Sequence, residues 1–323
     1  MNILVTGAGG FIGYQLVKKL RSQKHFVRGV DVKQPEFAPT DANEFWLMDL
    51  RNPHNASQSM IGMDRVFHLA ADMGGMGHIF AHQAEIIRNN TQIDINVLEA
   101  ARITGIQRLL YSSSACVYPV HKQDSLEDAT LLVEEDAYPA NPQGAYGWEK
   151  LHTEHLCEYY RKANWLDTQI VRFNNIYGSY GTWRGGREKA PAALSRKVAV
   201  AKMTENYRVG VWGDGKAIRN YVYIEDCIEG LIRLMSSGFP GPIHFGNDQS
   251  ISVDGLVDVI ADIAGIEVEK VHVEGPEGVR NRQSDNTLCE DILNWKPTIP
   301  VQAGMVFTYE WIEQQVKEHP ELA

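Results

Sequence analysis

Apolar residues fall into short blocks along the 323-residue chain, with polar residues and glycines between them. Blocks rich in β-formers occupy residues 2–6, 26–32, 44–48, 65–71, 108–112, 169–173 and 242–245, lengths suited to single strands. Most are separated by segments with apolar residues at helical spacing, of which 82–104 and 145–162 are long. This rhythm predicts an α/β fold, a doubly wound parallel sheet with helices on both faces. Beyond Tyr177 it gives way to glycine-rich and charged loops, with short helices expected at 191–202 and 253–263, so a second, smaller α/β lobe is expected. The block at 242–245 is expected to rejoin the main sheet, which interleaves the two lobes in sequence. No internal repeat or low-complexity tract suggests a modular array.

Composition narrows the partners. With 31 Lys and Arg against 41 Asp and Glu, the formal charge is -10, a poor basis for binding nucleic acid or an anionic membrane. No run approaches the ~20 apolar residues of a membrane span, and residues 1–6 lack the basic start and apolar core of a secretory signal. Cys116, Cys157, Cys227 and Cys289 are scattered with no C-x-x-C pair, which predicts reduced thiols and a cytoplasmic protein. The 11 histidines form no ligand-spaced pair with carboxylates, and no metal site is expected.

Immediately after the first strand comes Gly7-Ala8-Gly9-Gly10-Phe11-Ile12-Gly13, leading into a helical pattern at 14–20. Gly7 permits a tight turn, Gly10 lets backbone approach a pyrophosphate, Gly13 allows helix to pack on sheet, and the helix N-terminus faces the anion. Asp31 ends the second strand, 18 residues past Gly13, where a carboxylate can accept from ribose hydroxyls and would repel a 2′-phosphate. The expected cofactor is therefore NAD, and the main lobe a Rossmann domain of residues 1–174 plus about 219–247. The substrate lobe then comprises about 175–218 plus 248–323. Asp49, in Met48-Asp49-Leu50, follows the third strand and can either accept from the adenine amino group or remain a solvated loop carboxylate.

Tyr146 and Lys150 stand four residues apart, on one face of the helix expected at 145–162. A nearby ammonium together with a positive nicotinamide favours the phenolate and lowers the tyrosine's pKa toward that of a useful base. The strand before this helix ends in Tyr111-Ser112-Ser113-Ser114-Ala115-Cys116-Val117-Tyr118.

On these residues the chain resembles, along its whole length, the extended short-chain dehydrogenase/reductases that act on nucleotide sugars. In that family a Ser, Tyr and Lys form a hydride-transfer triad, which the resemblance puts on Ser114, Tyr146 and Lys150. The residue two beyond the serine is often Thr in 4-epimerases, Glu in dehydratases and Cys in enzymes that epimerise carbons beside a ketone; here it is Cys116. A thiolate near a cationic nicotinamide can remove a proton α to a carbonyl. The other reading of a free cysteine is a small buried hydrophobe, and it is the one taken for Cys157, Cys227 and Cys289. Inversion also requires an acid on the opposite face, and 181–193 gathers Arg184, Arg187 and Lys189 around a glycine loop that opens a helix.

Residues 71–77, 113–116, 175–178, 185–193 and 275–280 are similar to the motifs of members that handle GDP-sugars. That resemblance implies Cys116 and Lys189 as the acid/base pair. It implies GDP-sugar contacts from Gly74, Ser114, Ala115, Cys116, Asn175, Glu188, Lys189, Ala190, Lys197, Arg219 and Arg282. The implied activity is isomerisation of GDP-mannose at C3 and C5 to GDP-L-galactose, with GDP-L-gulose as a side product, through a 4-keto sugar and a retained NAD. Arg184 departs from the lysine typical of plant members. A GDP-4-keto-6-deoxymannose epimerase-reductase shares the cysteine but has histidine where Lys189 stands and uses NADPH. A nucleotide-sugar 4-epimerase is another alternative. A non-enzymatic NAD sensor would keep the glycine loop yet have no need of Tyr146, Lys150 and Cys116 together. The resemblance further implies a homodimer formed through the two long helices.

Overall fold

A strand covered on both faces must be apolar throughout, and β1 (Asn2–Thr6) is buried from Ile3 onward. The computed structural model describes residues 1–127 and 130–322. After β1 the chain runs α1 (Phe11–Ser22), β2 (Phe26–Asp31), β3 (Glu44–Leu47), α2 (Pro53–Met60), β4 (Arg65–His68), α3 (Met76–Ala81), α4 (Gln83–Thr104) and β5 (Arg108–Ser114). Next come α5 (Gly144–Lys162), β6 (Thr168–Phe173), β7 (Asn175–Tyr177), α6 (Ala190–Thr204), β8 (Arg208–Trp212), β9 (Ile218–Tyr223), α7 (Ile224–Ser237) and β10 (Ile243–Phe245). The last part holds β11 (Ser250–Ser252), α8 (Val253–Ala264), β12 (Glu269–Val273), β13 (Asn281–Arg282), α9 (Thr287–Leu293) and α10 (Val301–Glu318).

Seven strands form one parallel sheet in the order β10-β6-β5-β4-β1-β2-β3. The winding reverses between β1 and β4, and a doubly wound sheet opens its ligand crevice beyond the carboxyl ends of strands at such a reversal. On one face Val97, Leu98 and Cys157 of α4 and α5 pack with Ala56 and Met60 of α2 over Leu4 and Val30. On the other, Leu16 and Val17 of α1 and Cys227 and Leu231 of α7 join Ile3 and Val5 in a core that continues unbroken to Leu194, Val198, Leu256 and Ile312 of α6, α8 and α10. The smaller lobe has β9 at its centre, paired with β7, β11 and β13, and a separate β8–β12 pair.

The expected return of 242–245 to the main sheet occurs, as β10 alongside β6. Three expectations shift. The strand placed at 65–71 stops at His68, because the Leu69 and Ala70 N–H groups turn to the Thr6 hydroxyl, each at 3.2 Å. The helix placed at 82–104 starts at Gln83, since His82, at φ -126° and ψ 34°, separates α3 from α4. The second lobe is richer in structure than a loop region: α10 alone has 18 residues, while β7, β11 and β13, of 3, 3 and 2 residues, are too short to show a period.

Close backbone approach fixes where α1 begins. Gly7 sits at φ +71°, and a Cβ on Gly13 would lie 2.1 Å from the Gly7 carbonyl oxygen. Gly13→Ala should therefore cost about 1–3 kcal/mol, the usual penalty for overpacking. Thermal unfolding should show a lowered midpoint; an unchanged midpoint would contradict the close packing.

Candidate active site

The loop between β1 and α1 is shaped to receive an anion. Gly10 is the N-cap of α1 and no side chain caps the helix, so N–H groups of its first turn face the loop, among them those of Phe11, Ile12 and Gly13. Gly9, which the sequence reading passed over, lies against β2: its N–H donates to Asp31 Oδ2 at 3.0 Å, and a Cβ there would meet the Lys33 carbonyl oxygen at 2.1 Å. Asp31 Oδ1 accepts from the Lys33 N–H at 3.1 Å. Burial raises the Asp31 carboxyl above its ordinary value, against the N–H groups of Lys33, Gly9 and Val32. Asp49 is half-buried and forms a fork with Arg51 at 2.6 Å, and that hydrogen bond holds its carboxyl low. Leu50 beside it is buried, with its carbonyl accepting from Asn96 at 3.0 Å.

The catalytic candidates meet where β5 ends against α5. Ser114 Oγ accepts from the Cys116 N–H at 3.1 Å and so caps the single 3-10 turn that holds Ala115 and Cys116. A Cβ on Gly147 would lie 2.3 Å from the Cys116 carbonyl oxygen, so α5 can reach this turn only at a glycine. Tyr146 and Cys116 then share one small apolar cluster with Ile79 and Ile86. Cys116 Sγ receives the Arg282 Nη1 donor at 3.6 Å and faces Gln143 Oε1 at 3.9 Å. Gln143 and Gln123 hold that guanidinium from either side, at 3.1 and 2.7 Å. Cys157, Cys227 and Cys289 are fully buried, as expected of packing residues.

Burial sets the electrostatics of Tyr146 and Lys150. Burial lifts the Tyr146 phenol well above its ordinary value, and Lys150 only partly opposes this. The phenol of the protein alone is therefore neutral at pH 7, and a further positive charge beside it is needed to make it a base. Lys150 is itself 1% exposed, with Nζ 4.8 Å from the Tyr111 ring centre and 5.6 Å from that of Tyr146. Burial alone would discharge this ammonium, but Glu149 and Asp94 hold its pKa above the ordinary lysine value.

A cluster of cations lies opposite. Of the three expected around 181–193, Arg184 pairs with Glu36 at 3.2 Å and Arg187 with Asp72 at 3.3 Å, which leaves Lys189, the N-cap of α6, without an ion pair among the described residues. Burial lowers the Lys189 pKa, while the Cys116 thiol within its field pulls the other way. Arg219 is held by the carbonyls of Ile218 and Glu277, each at 2.8 Å, and burial with repulsion from Arg282 pushes it down to about 10. Lys197 donates to the Gly210 carbonyl at 2.6 Å. Among the described residues, none of these four cations meets a carboxylate, an arrangement that favours an anionic ligand. Glu188 is paired with Arg196 at 3.0 Å, Asn175 donates to the Asn220 carbonyl at 3.1 Å, and Ala190 is the exposed first residue of α6. Gly74 packs on His78, and the Gly75 N–H donates to the Arg187 carbonyl at 2.9 Å, which ties the 72–77 segment to the lysine loop.

Residues 3–245 match the NAD dependent epimerase/dehydratase family. The chain belongs to that family. It is 46% identical to GDP-mannose 3,5-epimerase 1 of Oryza sativa subsp. japonica, over 98% of this chain and 83% of the relative. It is 44% identical to GDP-mannose 3,5-epimerase of Arabidopsis thaliana, over 98% of this chain and 84% of that one. Its fold superposes with a TM-score of 0.83 on Thermus thermophilus UDP-glucose 4-epimerase in complex with NAD, at 22% identity, covering 97% of this chain and 99% of the other. NAD is the cofactor of this epimerase/dehydratase, and its residues fit the group: an uncapped helix N-terminus over close-packed glycines, a carboxylate at the end of β2, and a buried ammonium with no hydrogen-bond partner among the described residues.

Three features of this NAD dependent epimerase/dehydratase escaped the sequence reading. Asn90 and Asp94 are buried on α4 in line with Ile86, Leu98 and Ala101, and polar residues on an apolar stripe are a readable signal. Asp94 accepts from Thr153 at 2.8 Å and Tyr111 at 3.0 Å, and meets His68 at 3.0 Å. Burial alone would raise it, but Lys150 and His68 hold it below the ordinary carboxyl value. Glu149, hidden inside the Tyr/Lys motif, faces Lys150 at 3.7 Å, and burial pushes its carboxyl up to about 8. Gln143 gave no signal, because its clamp on Arg282 spans 139 residues.

Lys150→Met would strand these two carboxylates. The loss should be about 3–5 kcal/mol, as for breaking a buried pair. Asp94, depressed in the native state, lends stability at neutral pH that fades in acid; in the variant both carboxyls would be raised, so its stability should recover as pH falls. Thermal midpoints at pH 8.5 and pH 6 should therefore differ more between the two proteins at pH 8.5.

Proposed function

We propose that the protein epimerises GDP-mannose at C3 and C5 to GDP-L-galactose, with GDP-L-gulose as a side product. The observation that carries this reading is that the Cys116 thiol, the Lys189 ammonium, unpaired among the described residues, Arg219 and Arg282 lie within one another's electrostatic reach. Relatives at 46% and 44% identity bear the name GDP-mannose 3,5-epimerase, in agreement with it. Lys189, where an epimerase-reductase of the GDP-fucose type would have histidine, and Asp31, which disfavours a 2′-phosphate, weigh against that alternative. We assign 1–174 plus about 224–247 to NAD and about 175–223 plus 248–323 to the nucleotide sugar, a shift from the expected boundary at 219 because β9 sits at the centre of the smaller lobe's sheet.

In this mechanism Gly7, Gly10, Phe11, Ile12 and Gly13 hold the pyrophosphate of NAD and Asp31 its ribose, with Asp49 and Leu50 on the adenine side. Bound NAD supplies reversible acceptance of the C4 hydride. Tyr146, ionised by the added positive charge, takes the proton of the C4 hydroxyl, and Ser114 orients that oxygen. A ketone at C4 makes the protons on C3 and C5 acidic. Cys116 withdraws such a proton on one face, with the Arg282 guanidinium as partner for the thiolate. Lys189 returns a proton on the other; its lowered pKa makes it the readier donor. Arg219, Arg282 and Lys197 hold the diphosphate, while Gly74, Ala115, Asn175, Glu188 and Ala190 shape the sugar site.

Incubation with GDP-mannose in heavy water should place deuterium at both C3 and C5, read by NMR. Inverted C4 without label would instead identify a 4-epimerase. Cys116→Ala should cut exchange about 10²–10⁴-fold, the usual contribution of an acid/base group, while NADH absorbance still reports C4 oxidation. Unaffected exchange would remove the thiol from the mechanism.

We also propose a cytoplasmic homodimer. Four free cysteines support the compartment, and Ile87, Ile95 and Ile103 of α4 with Trp148 and Tyr159 of α5, all exposed, support dimerisation through these helices. Sedimentation should give twice the monomer mass of 36.3 kDa, and Ile95→Arg should halve it.

A further inference from the structure

Beneath Tyr146 two carboxylates enclose one ammonium, and all three are shut off from water. Side chains of Lys150, Glu149 and Asp94 are 1%, 0% and 0% exposed. The remaining neighbours are neutral or matched: Tyr111 from β5 and Thr153 from α5 donate to Asp94, His68 from β4 bridges Asp94 to Thr6, and Asn90 from α4 donates to Glu149 Oε1 at 2.7 Å. Glu149 Oε2 and Lys150 Nζ are both buried without a hydrogen-bond partner among the described residues. With both acids ionised the centre would carry a net negative charge in a desolvated space, which is costly. One proton kept on Glu149 brings it to zero.

We propose that Glu149 is a charge-compensating positioning residue, protonated in the nucleotide-free protein and ionised when the cationic nicotinamide of NAD⁺ settles over Lys150 and Tyr146. This rests on the reading of Tyr146 and Lys150 as the nicotinamide site. Asp94 cannot play the part, because His68, Tyr111 and Thr153 all stabilise its ionised form. Glu149 has a single hydrogen bond, to a neutral amide, and one oxygen free to carry a proton. Ionisation of Glu149 offsets the arriving positive charge, so the buried centre stays near neutral with either oxidised or reduced cofactor, while at the Tyr146 phenol itself Lys150 still outweighs Glu149. Lys150 thereby keeps its charge and its place beside Tyr146 through both states.

The test counts protons released on binding. Nucleotide-free protein is titrated with NAD⁺ at pH 7 in buffers of different ionisation enthalpy, as wild type, Glu149→Gln and Tyr146→Phe. Wild type should release about one proton per site more than Glu149→Gln, since a group with pKa about 8 is mostly protonated at pH 7, and Tyr146→Phe, which has no phenol proton to give up, should still release about one. Equal release from wild type and Glu149→Gln, or none from Tyr146→Phe, would overturn the proposal. Failure of all three to bind NAD⁺ would instead sink the underlying site assignment. A second measurement needs no variant. The affinity of wild type for NAD⁺ relative to NADH should fall about tenfold per pH unit below pH 8 and level off above it; a ratio flat from pH 6 to pH 9 would overturn the proposal independently of whether Glu149→Gln folds.

Discussion

The contact on which the site depends is the meeting of α5 with the end of β5. Gly147 brings the helix backbone against the Cys116 carbonyl so closely that no side chain fits between them. Tyr146 and Lys150, just before and one turn along from this point, are thereby set beside Ser114 and Cys116 without any residue of the second lobe. The parallel sheet makes the meeting possible. It delivers β5 and the α1 loop to the same edge, beside the reversal between β4 and β1.

Once these elements meet, desolvation governs the chemistry of several ionisable groups in the centre. It lifts Tyr146 and Glu149, lowers Lys189 and Arg219, and is overcome only where opposite charges crowd in, as at Lys150. A site built this way is poorly suited to act empty. Its phenol is neutral and its cations lack counterions. A positive cofactor and an anionic substrate correct the two faults separately, and each is worth more in a dry pocket than in water. The protein's net charge of -10 does not conflict with this, because the unpaired cations are few and are gathered from β9, β13, α6 and its N-cap.

Much of this was legible from local pattern. The strand-helix rhythm, the glycine loop, Asp31 and the Tyr146/Lys150 spacing are all encoded within short windows, where periodicity and steric demand act directly. The second lobe was less readable because its sheet is built from strands of two to six residues, and single residues there answer to tertiary partners. At Tyr146 the neighbouring ammonium is visible in sequence, whereas the burial that opposes it is not. Nothing local to the Tyr/Lys motif shows that packing turns Glu149 inward.

The lysine loop couples the two lobes in a way that neither motif implies alone. Arg184 reaches Glu36, beyond the cofactor carboxylate Asp31, while Tyr180 stacks between Tyr14 of α1 and Trp311 of α10, with ring centres 5.7 and 5.5 Å away. The same loop continues through Arg187, tied to Asp72, into Lys189. One stretch of chain thus runs from beside Glu36, past the glycine loop, to Lys189. A loop fixed at both ends loses less conformational freedom when a ligand arrives, so more of the binding energy remains for binding itself. Because the ion pairs at Arg184 and Arg187 are partly exposed, each contributes little to stability; their effect is geometric, through the position they impose on Lys189.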